Sequence, residues 1–266
     1  MKHIKPYNQL FENTQELTQE QKDWLDQCVS GTWGVNPQTG LIDIEGDFDY
    51  ESNVPNFNGV RFGDIGGDFR CSRNSLTSLE GAPQSVSGNF YCSNNLLTSL
   101  KGAPQTVGGN FSCSNNSITS LEGGPQSVGY VYQCDHNLLT SLKGAPQKIG
   151  WSFDCSDNQL TSLEGAPLSI DGDFDCARNN ISSIEGAPQT VGRATYCYTN
   201  PIGHKAFKGV IHKMTKQQIP LEQAVTNVWR YIPVEDRVYL AKHNPELSPE
   251  EMKEYEALAR YKKRVM

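Results

Sequence analysis

Leu97-Thr-Ser-Leu-Lys-Gly-Ala-Pro-Gln-Thr-Val-Gly-Gly-Asn-Phe-Ser-Cys-Ser-Asn-Asn116 returns three units later as Leu160-Thr-Ser-Leu-Glu-Gly-Ala-Pro-Leu-Ser-Ile-Asp-Gly-Asp-Phe-Asp-Cys-Ala-Arg-Asn179. Cysteine marks the same place in every unit: Cys71, Cys92, Cys113, Cys134, Cys155, Cys176 and Cys197 stand 21 residues apart without a slip. A fixed period of this length means a stacked array in which each unit buries its apolar face only against its neighbours. The central part of the chain therefore reads as a solenoid. Solenoids are mostly surfaces for holding something, so a binding protein is expected before an enzyme.

Other columns share the period. Phe48, Phe69, Phe90, Phe111, Tyr132, Phe153 and Phe174 form an aromatic ladder, with Thr195 as its degenerate last rung. Phe and Cys, two apart, point the same way on a short strand, so Phe-x-Cys is the expected β segment. Asn53 through Asn200 recur where the chain must turn, and their amides can satisfy backbone groups of the neighbouring coil. Leu76 through Ile202 and Leu79 through Ile184 complete a core of eight rungs. The Gly-Ala-Pro segment is too short and too broken by proline for a helix. An extended or polyproline-like outer side is expected.

Phe153-x-Cys155-x-x-Asn158-x-Leu160-Thr-Ser-Leu163 fits the pattern L-x-L-x-x-N-x-L, and over residues 41–202 the chain resembles a leucine-rich repeat protein. The Leu-Thr-Ser-Leu-x-Gly-Ala-Pro stretch is similar to the short-repeat bacterial class found in secreted effectors. One feature departs from that family: Val86 and Ile170 lie four residues before the Phe instead of three. A β-helix with 21-residue coils is the alternative winding. Some effectors of the short-repeat class carry a ubiquitin-ligase domain with a catalytic cysteine after the array; here no cysteine follows Cys197. The entry motif Leu17-Thr-Gln-Glu-Gln-Lys-Asp-Trp-Leu-Asp-Gln-Cys28 is similar to repeat proteins of tailed bacteriophages. That likeness implies a host protein as partner, such as a defence enzyme that the chain blocks, and the host cytoplasm as its place.

Three parts are expected: a helical cap over 1–40, the leucine-rich-repeat-like solenoid of short parallel strands over 41–202, and an α-helical segment over 203–266 that caps the array or forms a small interaction module. Thr18 with Gln21 is a capping-box pattern, and Trp24, Leu25, Cys28 and Val29 fall on one helical face. Ser248-Pro249-Glu250-Glu251 is a helix start signal, and the cations of Arg260-Tyr-Lys-Lys-Arg264 suit a helix C-terminus.

The charge balance differs along the chain. Through residue 202 there are 11 Lys and Arg against 22 Asp and Glu, a balance of −11; beyond it there are 12 against 8, a balance of +4. A duplex-binding surface is basic, so direct nucleic-acid binding is not expected of the array. An acidic mimic of nucleic acid, filling the channel of a host enzyme, is the alternative function. No run of about 18 apolar residues marks a membrane span, and the start lacks the apolar core of a signal peptide. The seven cysteines in one inward column read as reduced core residues, since parallel neighbours point the wrong way for bridges.

Catalysis needs positioned acids, bases or nucleophiles, and the repeat offers no phosphate loop, no His-Glu-x-x-His and no Gly-x-Ser-x-Gly. Neither an enzymatic activity nor a metal or cofactor is expected. Asp47 with Asp49, and Asp173 with Asp175, are read as a solvated strand face. The row Glu80, Lys101, Glu122, Lys143, Glu164 and Glu185 is read as a register device between coils. The informative positions break the repeat. Two residues before the ladder aromatic, the coils read Gly46, Gly67, Gly88, Gly109, Tyr130, Trp151, Gly172 and Arg193. Tyr130 and Trp151, with Tyr132, Gln133, His136, Asp154 and Asp157 beside them, are the expected partner-binding residues. Tyr and Trp dominate interface energetics. Packing of the two aromatics on the chain's own tail, or self-association, are the alternatives. Tyr196 with Tyr198 is a second patch, read as capping.

Overall fold

The computed structural model describes residues 16–50, 55–182 and 186–201. Asn53, Ile184, Glu185, Ile202 and the tail from 203 onward lie outside them. The chain winds into a β-solenoid with two sheets of nine short strands each, parallel except for one antiparallel edge strand in each. One sheet carries the aromatic ladder, pairing Phe48 with Phe69, Phe69 with Phe90, Phe90 with Phe111, and so on to Phe174 with Thr195. Its eight rungs bound seven turns; they are numbered below as coils one to eight, from Phe48 to Thr195.

The second sheet departs from the irregular outer side expected from the sequence. It is built on the apolar residue four positions before the ladder aromatic, pairing Ile65 with Val86, Val86 with Val107 and Val107 with Val128. That spacing places a three-residue corner, such as Ser87-Gly88-Asn89, between two strands with inward-facing residues, so a second sheet replaces an irregular wall. The third side holds the two leucine columns, which are fully buried at Leu97, Leu100, Leu139 and Leu142.

The asparagine ladder fastens coil to coil. The Asn95 amide donates to the carbonyls of Cys71 (2.9 Å) and Cys92 (3.0 Å), while its oxygen accepts the Leu76 N–H at 3.1 Å. The same set recurs at Asn116, Asn137, Asn158 and Asn179. The residue before each ladder asparagine is left-handed, from Arg73 through Asn94, Asn115, His136, Asp157 and Arg178 to Thr199. The seven ladder cysteines are buried and form no disulfide, and burial pushes the thiols of the six from Cys71 to Cys176 well above the ordinary range. Among the described residues, one predicted cross-coil charge pair forms, Lys143 with Glu122 at 3.4 Å, on exposed side chains.

At the start, helix α1 (Gln19–Cys28) carries the complete Thr18–Gln21 capping box. Leu25 is fully buried, and Trp24 packs edge-on to Phe48 at 5.5 Å and Tyr50 at 5.6 Å. Two antiparallel strands then close the first edge of each sheet, Val29–Ser30 against Asp47 and Phe48, and Trp33–Val35 against Ile42–Ile44. An open edge would invite pairing with another chain. Among the described residues, α1 is the only helix, and none is long and apolar enough to cross a membrane.

Candidate interaction surface

The column that holds Tyr130 and Trp151 lies at the corner between the two sheets, just before the ladder strand. In most coils this corner is crowded. A Cβ on Gly88 would fall 2.2 Å from Asp68 Oδ1 and 2.7 Å from the Gly67 carbonyl. Tyr130 and Trp151 nevertheless stand side by side on adjacent coils, joined by the Trp151 N–H to the Tyr130 carbonyl at 3.0 Å. Their exposures are 60% and 41%. Gly172 in the next coil leaves the corner bare. Beyond it, the Arg193 guanidinium reaches back over the Trp151 ring, 5.3 Å from its centroid. Sequence reading did not place Arg193 in this patch, although it occupies the same 21-residue column. The signal was the column itself.

Tyr132 drops out of the surface: it is fully buried as the fifth rung of the ladder. Gln133 and Asp154 sit paired on the outward side of the ladder sheet, and His136 and Asp157 occupy the left-handed corner beyond it. Tyr130 precedes the two-residue ladder strand Tyr132–Gln133 and His136 follows it in the left-handed corner. The predicted residues are thus strung along the coil on both sides of the ladder strand instead of forming one cluster with the two aromatics.

The far corner is a chain of charges. His136 Nδ1 lies 2.9 Å from Asp135 and its Nε2 lies 3.7 Å from Asp157. Arg178 Nε donates to Asp157 at 2.6 Å, and Nη1 donates to the Tyr198 hydroxyl at 2.7 Å, with the guanidinium 5.3 Å from that ring centroid. The Arg178 hydrogen bonds hold the Asp157 carboxyl below the usual range. Asp154 behaves oppositely. Burial pushes its carboxyl up, against hydrogen bonds from the Ser156 N–H and hydroxyl, and nearby Asp135 and Asp157 add to the rise. Asp175, its partner in the next coil, is raised by burial first and by the Asp154 charge.

The early acidic pair is consumed internally. Arg70 Nη1 lies 3.2 Å from both Asp47 and Asp49, and Nη2 lies 2.5 Å from Asp68. Among the described residues no group of three or more His, Cys, Asp or Glu is placed to hold a metal ion. Exposed Leu96 and Leu138, just after the asparagine ladder, were not singled out in the sequence. They are isolated apolar positions in an otherwise polar column, which single residues at a 21-residue spacing do not advertise. Comparison with protein-family models, with curated proteins and with solved structures returns no match.

Proposed function

We propose that the chain is a non-enzymatic binding protein that grips a protein partner through the surface around Tyr130 and Trp151. One observation carries the reading: two adjacent coils expose large aromatics at a corner that is glycine in five of the eight coils. A folding requirement would bury them, whereas exposed Tyr and Trp are what interface energetics use. Arg193 over Trp151 extends the patch with a cation, and Gln133 and Asp154 supply polar groups across the ladder sheet. Kinship with short leucine-rich repeats belongs to the same proposal, carried by the Phe-x-Cys-x-x-Asn-x-Leu unit. So do a phage origin, a cytoplasmic setting and a host protein as partner.

The test is a pull-down from bacterial lysate with the tagged full chain and with the Tyr130→Gly/Trp151→Gly variant, at low and high salt. The expected result is one protein retained by the natural chain at both salt concentrations and lost by the variant, with an unchanged melting temperature. A partner that stays on the variant refutes the site. A complex that dissolves between low and high salt points instead to the acidic-mimic reading, since screening acts on exposed charge.

A further inference from the structure

The junction between coils five and six is built differently from the others. Elsewhere the ladder rings lie nearly parallel, at 6° between Phe69 and Phe90, 10° between Phe90 and Phe111, and 1° between Phe153 and Phe174. Tyr132 is turned 49° from Phe111 and 73° from Phe153. Its hydroxyl is buried with no hydrogen-bond partner.

Three bonding patterns lapse or weaken at the same place. The side chain just before each ladder aromatic accepts the backbone N–H of its counterpart one coil on: Asp68 from Asn89 and Asn89 from Asn110 at 2.8 Å, Asn110 from Val131 at 3.1 Å, Ser152 from Asp173 at 3.0 Å. Val131 has no acceptor to offer Ser152. Along the second sheet, Gln126 N–H donates to the Gln105 carbonyl at 2.9 Å and Leu168 N–H to Gln147 at 2.8 Å. Among the described residues, Gln147 and Gln126 form no such bond. The second-sheet strands of coils five and six share one residue pair, Val128 with Ile149, where coils four and five share two. The Gly150 N–H reaches the Val128 carbonyl only at 3.4 Å.

We infer that the solenoid is two stacks that open separately, with the boundary between coils five and six. In an array held by nearest-neighbour contacts, the weakest junction separates the units that unfold locally. The ladder sheet still crosses it, through the Tyr132 N–H to the Ser152 carbonyl at 2.9 Å and the Cys134 N–H to Asp154 at 2.8 Å, so the boundary is weakened and not cut. Tyr130 lies on one side and Trp151 on the other. A partner that grips both would hold the boundary shut; that consequence rests on the proposed function, while the boundary itself does not.

Native-state hydrogen exchange on the full chain, read by mass spectrometry without any partner, tests it. Amides bonded within coils six to eight should exchange together, about tenfold or more faster than those of coils two to five, with the step at coil six. The variant Gly124→Ala/Val131→Asn/Tyr132→Phe restores the repeat pattern and should erase the step. Val131→Asn alone returns one acceptor and should shrink it. A smooth gradient from the chain end, a step at another junction, or a step that survives both variants overturns the inference.

Discussion

Coils two to four and coils five and six follow one 21-residue rule and pack by different means. In the first region the aromatic ladder and the acceptor column before it repeat, so each ring stacks on a ring like itself and each side-chain acceptor finds the same N–H one coil on. In the second, one change forces another. Tyr132 brings a hydroxyl into a ladder of phenyl rings, and its coil is the one in which Gly124 replaces the alanine found at Ala82, Ala103, Ala145, Ala166 and Ala187. A Cβ on Gly124 would stand 3.1 Å from the Tyr132 hydroxyl oxygen and 2.9 Å from Leu100 Cδ1. The hydroxyl takes the space that the missing methyl leaves. A repeat tolerates variation where a second column can give way, and the residual cost is an unpaired buried hydroxyl, about 1–3 kcal/mol.

The largest effect that tests this contrast is ring truncation in each region. Phe111→Ala removes a fully buried ring from the regular stack and should cost about 3–5 kcal/mol. Tyr132→Ala removes a ring of similar size together with the unpaired hydroxyl, so its cost should be lower by about 1 kcal/mol. Urea unfolding monitored by circular dichroism measures both. Equal losses would show that the two regions are equally well packed; a loss below about 1 kcal/mol at Phe111 would remove the ladder from the core altogether.

The same contrast governs what could be read in advance. The period, the inward columns and the asparagine ladder were legible because each is one residue type at one spacing, and a stacked array gives every copy the same environment. Helix α1 was legible from Thr18, Gln21 and the apolar face around Leu25. The second sheet was present as a clue in the four-residue offset of Val86. From Ser85–Val86 onward its strands are two residues long, too short for an alternating pattern to show. Of the surface, Tyr130 and Trp151 stood out because they break a glycine column. Arg193 was missed since its reach across Gly172 to Trp151 is a matter of side-chain length and not of sequence adjacency. Tyr132 was grouped with the surface by proximity to Tyr130, although its place in the ladder already pointed inward.

A double-mutant cycle sharpens the compensation. Gly124→Ala alone inserts a methyl against the Tyr132 hydroxyl and should cost about 1–3 kcal/mol. Tyr132→Phe alone removes the unpaired group and should be neutral or stabilising by up to about 1 kcal/mol. Together they rebuild the unit seen in the other coils, and the pair should exceed the natural chain in stability, with a coupling of about 1 kcal/mol or more. Additive effects in thermal or urea unfolding would mean that the two substitutions share a coil by coincidence.

The smallest expected effect lies on the outward side of the same coils, where two carboxylates three residues apart carry opposite shifts. Asp154 is raised in the folded chain, so the folded state holds its proton more tightly than the unfolded one, whose value is about 3.9. Stability from this group is therefore present at low pH and lost as pH rises through the folded value. Asp157 is lowered by Arg178, and its contribution is present above about pH 4 and lost as pH falls below it. Asp154→Asn should then stabilise the chain at neutral pH, and Asp157→Asn should destabilise it, each by about 1 kcal/mol or less because both groups keep contact with water. Near pH 3 the two differences from the natural chain should shrink. Unfolding free energies at pH 7 and pH 3 decide it. If Asp154→Asn destabilises at both, its bonds to Ser156 outweigh burial and the repulsion of Asp135 and Asp157, and the acidic half of this face is held together from within, as Arg70 holds the other end.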